Sequence, residues 1–277
     1  MHIKFPKTKS VLDVMHDHFS QISPRYRELR TTDVDPILFI TNKLQSMSSI
    51  SAADIGCGTG RYSEKFIQHL GEKCHLYCID SNKEMLKHLK EHMARNNITN
   101  FLPIRSDSQK IPLQTDSLDC VISFNAIHHF SLPNFMREVS RILKNNGKLF
   151  IYTRLREQNA KTIWGMHFPS FHKKEQRLYE MDELKSVFKK YPNLNINSVK
   201  FFEHHRVYPL EKLVEKAVNH HYSTFKLYRK KEFEEALQRF KENILHHFED
   251  PRKISWKDEN VLLVVDNLQG GSCKQRK

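Results

Sequence analysis

The sequence predicts an α/β fold: a doubly wound, mostly parallel sheet of seven strands with an antiparallel strand at its edge. The first observation is that short apolar runs alternate with segments of helical period at least four times between residues 51 and 153. The second is the run Leu118–Phe124, which is continuously apolar apart from Asp119 and Ser123 and suits a strand buried on both faces. The third is a glycine-rich turn that ends the first strand at Gly56.

The elements follow in order along the chain. Residues 1–50 are expected to form two or three short helices, because Val11, Leu12, Met15 and Phe19 recur at helical spacing. Strands are predicted at 52–55, 74–79, 101–104, 118–124, 148–153, 196–208 and 261–265. Helices are predicted at 62–70, 85–93, 135–143, 181–188 and 210–248. Residues 154–180 lack a clean period and are expected to form a loop with short helices.

The last helical stretch lies between the last two predicted strands, which we expect to pair antiparallel at the sheet edge. This arrangement divides the chain into four parts. We expect an N-terminal helical cap at 1–50, a core at 51–208 and 251–268, a helical lid at 209–250 and a disordered tail at 269–277.

The chain is basic, with a formal net charge of +13 over 277 residues. The excess is concentrated at 141–210, which holds fourteen Lys and Arg against six Asp and Glu. A localised basic surface attracts anionic partners, including nucleic acid. A solvated basic face with no partner is the alternative.

No signal peptide or membrane span is predicted, because no apolar stretch is long enough. The cysteines are odd in number and lack Cys-x-x-Cys spacing, which indicates reduced thiols in a cytoplasmic protein. Adjacent histidines such as His220-His221 do not share a helix face, so no metal site is expected. The five cysteines are Cys57, Cys74, Cys78, Cys120 and Cys273.

The strongest signal is the run Ala53-Asp54-Ile55-Gly56-Cys57-Gly58-Thr59-Gly60. Its glycines permit positive φ and a close approach of another molecule, and the following helix offers free N–H groups. Asp80, twenty residues on at the end of the next strand, can accept both hydroxyls of a ribose. The spacing is Gly-x-Gly-x-Gly rather than the dinucleotide Gly-x-Gly-x-x-Gly, and Asp54 would repel phosphates. These residues favour a ligand with a ribose and an amine.

The run Asp54-Ile55-Gly56-Cys57-Gly58-Thr59-Gly60-Arg61-Tyr62-Ser63 resembles the first motif of class I S-adenosylmethionine-dependent methyltransferases. Further stretches resemble later motifs of that family: 78–86, 106–108, 111–119, 125–130 and 143–149. The resemblance covers residues 19–155, and Phe19–Tyr26 is similar to the N-terminal segment of the ubiquinone/menaquinone-biosynthesis subgroup (methyltransferase type 11). Arg27 departs from that pattern, where Asp often follows the Tyr. The resemblance implies a Rossmann-like core that binds S-adenosylmethionine.

The resemblance also implies roles for individual residues. Asp54, Gly56 and Gly58 would hold the methionine end of the cofactor. Asp80, with Ser81 beside it, would bind the ribose, and Met85 would pack beside the adenine. The remaining implied contacts are Asp107 and Ser108 at the adenine amino group, Asn125 near the sulfonium, and Tyr26. For each aspartate, the alternative is a structural helix cap.

The resemblance predicts an in-line transfer of the sulfonium methyl group to a small molecule, at oxygen or carbon, with no metal. His128 and His129 follow the fourth strand and could take a proton or hold the acceptor. Arg154, Trp164 and His167 are candidate walls of the acceptor pocket. Two alternatives remain: a methyltransferase for RNA, such as tRNA, or another macromolecule that uses the basic 141–210 segment, and an inactive cofactor-binding protein. The sequence leaves the oligomeric state open.

Overall fold

The computed structural model describes residues 11–268, with side chains from residue 14 onward. One sheet of seven strands runs through this part of the chain in the order β3-β2-β1-β4-β5-β7-β6. Strands β1 to β5 are parallel, whereas β7 pairs antiparallel with both β5 and β6. The strands are β1 Ile50–Ile55, β2 Cys74–Asp80, β3 Phe101–Arg105, β4 Leu118–Phe124, β5 Leu143–Thr153, β6 Leu194–Tyr208 and β7 Ile254–Asn267.

Twelve α-helices accompany the sheet within residues 11–268. Three precede it: α1 Val11–Ile22, α2 Tyr26–Leu29 and α3 Asp35–Lys43. Seven lie between the strands: α4 Arg61–Leu70, α5 Lys83–Arg95, α6 Leu132–Ile142, α7 Arg156–Ala160, α8 Ile163–His167, α9 Phe171–Lys174 and α10 Met181–Phe188. The last two, α11 Leu210–Val218 and α12 Lys230–His247, stand between β6 and β7.

Each face of the sheet is covered by its own set of helices. Helices α3, α4 and α5 pack one apolar cluster against the sheet, centred on buried residues such as Phe66, Leu89 and Tyr152. On the opposite face, α6 and α10 build a second cluster around Phe135 and Phe188. Consecutive residues of β1 alternate between these clusters, as expected for a strand buried on both sides.

A third, mostly aromatic cluster lies outside the sheet. Trp164, Phe168, Phe171, Phe225 and Phe240 are buried together, so α8 and α9 pack against the inserted helix α12. Trp164 and Phe240 stack with ring centroids 5.1 Å apart. The insertion therefore shares a core with the segment that follows β5.

The N-terminal helices are bonded to the same insertion. Arg25 Nη1 donates to Asn219 Oδ1 at 2.8 Å, Arg30 Nη1 to the His221 carbonyl at 3.1 Å, and Lys216 Nζ to the Leu29 carbonyl at 2.6 Å. Helix α1 also packs on the 3₁₀ turn Ser223–Leu227. Cap and insertion thus meet above the carboxyl ends of the parallel strands.

The predicted α/β architecture is confirmed, including the seven strands and the antiparallel pairing next to the sheet edge. Two details differ. Strands β5 and β7 are longer than predicted: β5 begins at Leu143, which pairs with Leu118, and β7 pairs with β6 from Ile254 to Asn267. The predicted helical stretch 210–248 is two helices with the 3₁₀ turn Ser223–Leu227 between them. The division into cap, core and lid stays a prediction, and the tail at 269–277 and Cys273 lie outside the described residues.

Candidate functional site

The glycine-rich turn folds back onto the neighbouring strand. The amides of Gly56 and Cys57 donate to the Ile79 carbonyl at 2.8 and 3.1 Å, which ties the end of β1 to β2. Gly56 has φ of +76°, and a Cβ there would lie 2.5 Å from the Ala126 Cβ. Gly58 also has a positive φ, +55°, but its side-chain position is open, with the nearest atoms at 3.8 Å on Tyr26 and 3.9 Å on Met85. At Gly56, therefore, only glycine tolerates both the positive φ and the close approach of Ala126.

Asp80, the last residue of β2, holds this turn in place. Its Oδ2 accepts the Gly58 amide at 2.9 Å, and its Oδ1 accepts the Asn82 amide at 2.8 Å. Burial raises the pKa of Asp80, and these backbone hydrogen bonds oppose the shift. Asn82 in turn caps α5 and donates to Ser20 Oγ of α1 at 2.9 Å. The turn, the second strand and the N-terminal cap therefore share one hydrogen-bonded system.

A cleft of about 690 Å³ opens beside this turn, at the carboxyl ends of the parallel strands. We call it the large cleft. The structure brings together along its wall nine of the ten residues predicted to bind a cofactor. They are Tyr26, Gly56, Gly58, Asp80, Ser81, Met85, Asp107, Ser108 and Asn125. Helix α1 closes the opposite wall with Met15, His16 and Phe19.

Asp54 is the exception: it does not line the large cleft, and its direct contact with a cofactor stays a prediction. Its side chain is 1% exposed and lies behind the turn, where Oδ2 accepts the Ser63 hydroxyl at 2.6 Å. Burial raises its pKa to about 7, partly offset by the Ser63 hydrogen bond. Asp54 therefore braces β1 against α4 instead of lining the cleft.

A second, smaller pocket adjoins the large cleft and has a volume of about 120 Å³. We call it the basic pocket. It lies between the sheet, the N-terminal helices and the insertion. Of the three residues predicted for an acceptor pocket, Arg154 and Trp164 line it. His167 does not, because its ring faces α12, 4.8 Å from His247 and 5.7 Å from Phe248. The role of all three toward an acceptor stays a prediction.

Five residues line both cavities: Phe19, Tyr26, Asn125, His128 and His129. Asn125 stands at the end of β4 with φ of +53°, a backbone conformation that asparagine tolerates better than most residues. Its Oδ1 accepts from Asn260 Nδ2 at 3.1 Å. The ring of Phe19 lies edge-on to His129, with centroids 5.1 Å apart. A molecule in the large cleft and a molecule in the basic pocket would therefore meet at these side chains.

Both histidines at this boundary have a pKa below the ordinary value of the side chain. Burial lowers the pKa of His128 to about 3, and the nearby charges of Arg177 and Arg30 act in the same direction. Burial also lowers the pKa of His129 well below its usual value. His128 Nδ1 is buried and has no hydrogen-bond partner within the described part of the chain. These imidazoles can accept or donate a hydrogen bond, but as bases near neutral pH they are weak.

Positively charged side chains outnumber negatively charged ones around the basic pocket. Three acids lie around it, and each is bonded to an arginine: Asp33 to Arg206, Asp258 to Arg154 and Glu175 to Arg177. Three further cations line the pocket: Arg30, Arg61 and Lys216. No carboxylate of residues 14–268 lies within 4.0 Å of their charged nitrogens.

Sequence reasoning missed these three cations, although two carried a local signal. Arg61 is the first residue of α4, where a positive charge opposes the helix dipole. Lys216 lies three residues after Leu213 and one before Ala217, on the buried face of α11. Arg30 comes just after the short helix α2, and its sequence context gives no comparable signal.

Within the described residues 11–268, no group of three His, Cys, Asp or Glu side chains is arranged to hold a metal ion. Nor does any helix in this range have the length and apolar character needed to cross a bilayer.

Known proteins provide an independent comparison. Residues 52–147, which include the glycine-rich turn and the β4 boundary, match a family described as a methyltransferase domain. A tRNA (carboxymethyluridine(34)-5-O)-methyltransferase of Macaca fascicularis is 28% identical over 152 residues, covering 53% of this chain and 20% of that protein. A demethylmenaquinone methyltransferase of Listeria monocytogenes is 24% identical over 149 residues, covering 51% of this chain and 62% of that protein.

The fold comparison extends further than the sequence match. A solved structure of a putative methyltransferase from an antibiotic biosynthesis pathway of Anabaena variabilis superposes with a TM-score of 0.63. It covers 85% of this chain and 98% of that one at 20% identity. The two curated relatives are matched over less than two thirds of their own length and differ in acceptor, so the ubiquinone/menaquinone subgroup stays a prediction. By its methyltransferase domain at residues 52–147 and by its fold, the chain is similar to S-adenosylmethionine-dependent methyltransferases.

Proposed function

We propose that this protein is an enzyme that uses S-adenosylmethionine to methylate a small molecule, at oxygen or carbon. The observation that carries the proposal is the meeting of two cavities at one boundary. The large cleft has the residues that a nucleoside with an amino-acid tail requires, and the basic pocket adjoins it at Tyr26, Asn125, His128 and His129.

The large cleft suits the cofactor on the chemistry of its wall. The open position beside Gly58 lets a ligand approach the backbone, and Asp80 retains lone pairs for ribose hydroxyls. Met85 offers an apolar surface for adenine, and Asp107 with Ser108 can bind its edge. When bound, S-adenosylmethionine supplies an electrophilic methyl group on a sulfonium.

The chain's own contribution is to orient the acceptor and exclude water. Phe19 and Tyr26 cover the boundary from the side of the cap, and the insertion closes the basic pocket. His128 and His129 are proposed to hold the acceptor as neutral hydrogen-bonding rings. Because the pKa of each is low, an acceptor atom that is already deprotonated at neutral pH fits this site better than one that needs a strong base.

A tRNA acceptor is the second candidate, favoured by the similarity to the Macaca fascicularis enzyme. The charge distribution argues against it. Of the fourteen Lys and Arg at 141–210, nine form ion pairs with Asp or Glu of this chain. A basic segment neutralised in this way offers fewer cations to a phosphate backbone. An inactive cofactor-binding protein is a third candidate, which the intact glycine-rich turn disfavours.

The deciding experiment incubates the protein with methyl-labelled S-adenosylmethionine and cell extract, with and without ribonuclease. Label in a low-molecular-weight product that survives ribonuclease would support the proposal. Label in a polymer that ribonuclease degrades would contradict a small-molecule acceptor and indicate that RNA is the acceptor. Calorimetric binding of S-adenosylhomocysteine with no transfer to any acceptor would favour the inactive protein.

A further inference from the structure

Three cations of the basic pocket, buried Arg61 and Lys216 and partly buried Arg30, satisfy their hydrogen bonds on neutral groups. Arg30 Nη1 donates to the His221 carbonyl at 3.1 Å, Arg61 Nη1 to the Thr31 carbonyl at 2.7 Å, and Lys216 Nζ to the Leu29 carbonyl at 2.6 Å. Carbonyl oxygens satisfy donors but do not cancel a full positive charge. Arg61 Nε is buried and has no partner within the described residues.

Aromatic rings also lie beside these cations. The Arg30 guanidinium carbon lies 4.4 Å from the Tyr222 ring centroid, and that of Arg61 lies 5.2 Å from the Tyr62 centroid. Both arginines also face Tyr26, at 5.6 and 5.4 Å. Ring faces stabilise cations by about 0.5–2 kcal/mol each, which is less than the cost of burying an unpaired charge. The rings also confine the guanidinium groups to the pocket wall.

Nearby acids do not supply the missing negative charge. Each nearby acid is already paired with an arginine: Asp33 with Arg206, Asp258 with Arg154 and Glu175 with Arg177. The three remaining cations therefore repel one another in a partly desolvated space. One consequence is measurable at Lys216, where burial and then the charge of Arg30 lower the pKa to about 8.

We propose that Arg30, Arg61 and Lys216 form a subsite that binds an anionic group, a phosphate or a carboxylate, of the methyl acceptor. The inference rests on the proposed function and narrows its substrate class to acidic small molecules. An oxyanion at this position would accept charge-assisted hydrogen bonds and relieve the repulsion among the cations. The nucleophilic atom of such an acceptor would then lie toward His128 and His129, at the boundary with the large cleft.

The test uses two simple anions as probes, inorganic phosphate and malonate, added to the full chain saturated with S-adenosylhomocysteine. Their binding is measured by calorimetry and by the rise in thermal midpoint. The variants Arg30→Gln, Arg61→Gln and Lys216→Gln each remove one cation. We expect each to weaken binding of the favoured anion by about tenfold or more, the effect of losing one charge-assisted contact.

Two control variants make the same change of charge outside the pocket. Arg239→Gln alters an exposed arginine of α12, and Lys212→Gln alters an exposed lysine one turn before Lys216 on α11. Both should bind the anions as the unmodified protein does. Equal weakening in the controls would indicate a general charge effect and overturn the subsite, as would equal binding in the three pocket variants.

A separate measurement keeps the test valid if a glutamine variant does not fold. The lysines of the unmodified protein are labelled by ¹³C reductive methylation, and the Lys216 resonance is assigned by its loss in Lys216→Arg. Phosphate or malonate should raise the pKa of Lys216 from about 8. A resonance that does not respond to either anion would overturn the proposal.

The two anions also distinguish the source of the charge. Preference for phosphate indicates a phosphate ester, and preference for malonate indicates a carboxylate. Binding of neither overturns the subsite, whether or not S-adenosylhomocysteine binds. If the unmodified protein binds an anion but not S-adenosylhomocysteine, the result contradicts the proposed function and still supports the anion subsite.

Discussion

The amide of Gly58 donates a hydrogen bond of 2.9 Å to the carboxylate of Asp80, across two neighbouring strands. This contact joins the turn after β1 to the end of β2, so one carboxylate both shapes the turn and lines the large cleft. A substitution of Asp80 will therefore act on the cleft first, since the strands themselves are held by their own ladder.

Asp80→Ala should weaken binding of S-adenosylmethionine by at least about tenfold, the effect of losing a hydrogen bond to a charged group. Calorimetry with S-adenosylhomocysteine checks this. Asp250→Ala is the matched control, because Asp250 is bonded to Arg252 on the surface, away from both cavities. Unchanged affinity in a folded Asp80→Ala protein would remove Asp80 from the proposed ribose contacts.

Gly56→Ala should destabilise the fold, because the new Cβ would lie 2.5 Å from the Ala126 Cβ at φ of +76°. Gly71→Ala separates the effect of backbone strain from that of the clash, because Gly71 has φ of +65° but no atom within 4 Å of a built Cβ. Backbone strain at Gly71, with φ of +65° and ψ of −149°, should cost about 1–3 kcal/mol, and the clash at Gly56 should add about 1–3 kcal/mol. Urea unfolding measures both. An equal loss of unfolding free energy in both variants would show that the atoms around Gly56 move aside at no cost.

Asp54→Asn should change how stability depends on pH. The pKa of Asp54 is raised to about 7, against 3.8 without perturbation, so the folded state binds more protons than the unfolded state between these values. The free energy of unfolding contributed by Asp54 is therefore largest below pH 4 and is lost as pH rises through about 7. Relative to the Asn variant, the native protein should lose up to about 4 kcal/mol over this interval.

Denaturant unfolding at a series of pH values measures this difference. Asp250→Asn is a useful comparison, because the hydrogen bond from Arg252 lowers the pKa of Asp250 and gives a dependence of opposite sign in the acid range. A constant difference between the native protein and Asp54→Asn from pH 4 to 8 would show that Asp54 is ionised in its buried position.

The local sequence was sufficient to predict the large cleft. Its wall is built from residues that follow consecutive parallel strands, and the ends of such strands converge at one edge of a sheet. Gly56 and Asp80 could therefore be grouped from their order, whereas Asp107 and Asn125 are expected there from the family resemblance. Asp54 lies outside that wall for a physical reason: it stands one position before the strand end, and its side chain accepts the hydroxyl of Ser63 on α4.

The basic pocket could not be predicted in the same way. Arg30 follows α2, Arg61 begins α4 and Lys216 lies on α11, and they converge only because the insertion packs against the N-terminal cap. His167 shows the converse. It lies close to Trp164 in sequence, but α8 turns its ring toward α12. Contacts between distant helices depend on tertiary packing, which hydrophobic periodicity does not specify.

His128 and His129 should remain neutral from pH 5 to 8, which separates a hydrogen-bonding role from that of a titrating base. Burial is the main cause of the low pKa at both, and Arg177 and Arg30 add to it at His128. NMR titration of the imidazole resonances checks this without an acceptor, with His128→Asn and His129→Asn supplying the assignments. The resonances should not shift across that interval. A titration near pH 6.5 would restore both histidines as general bases, because their conjugate acids would then match the working pH.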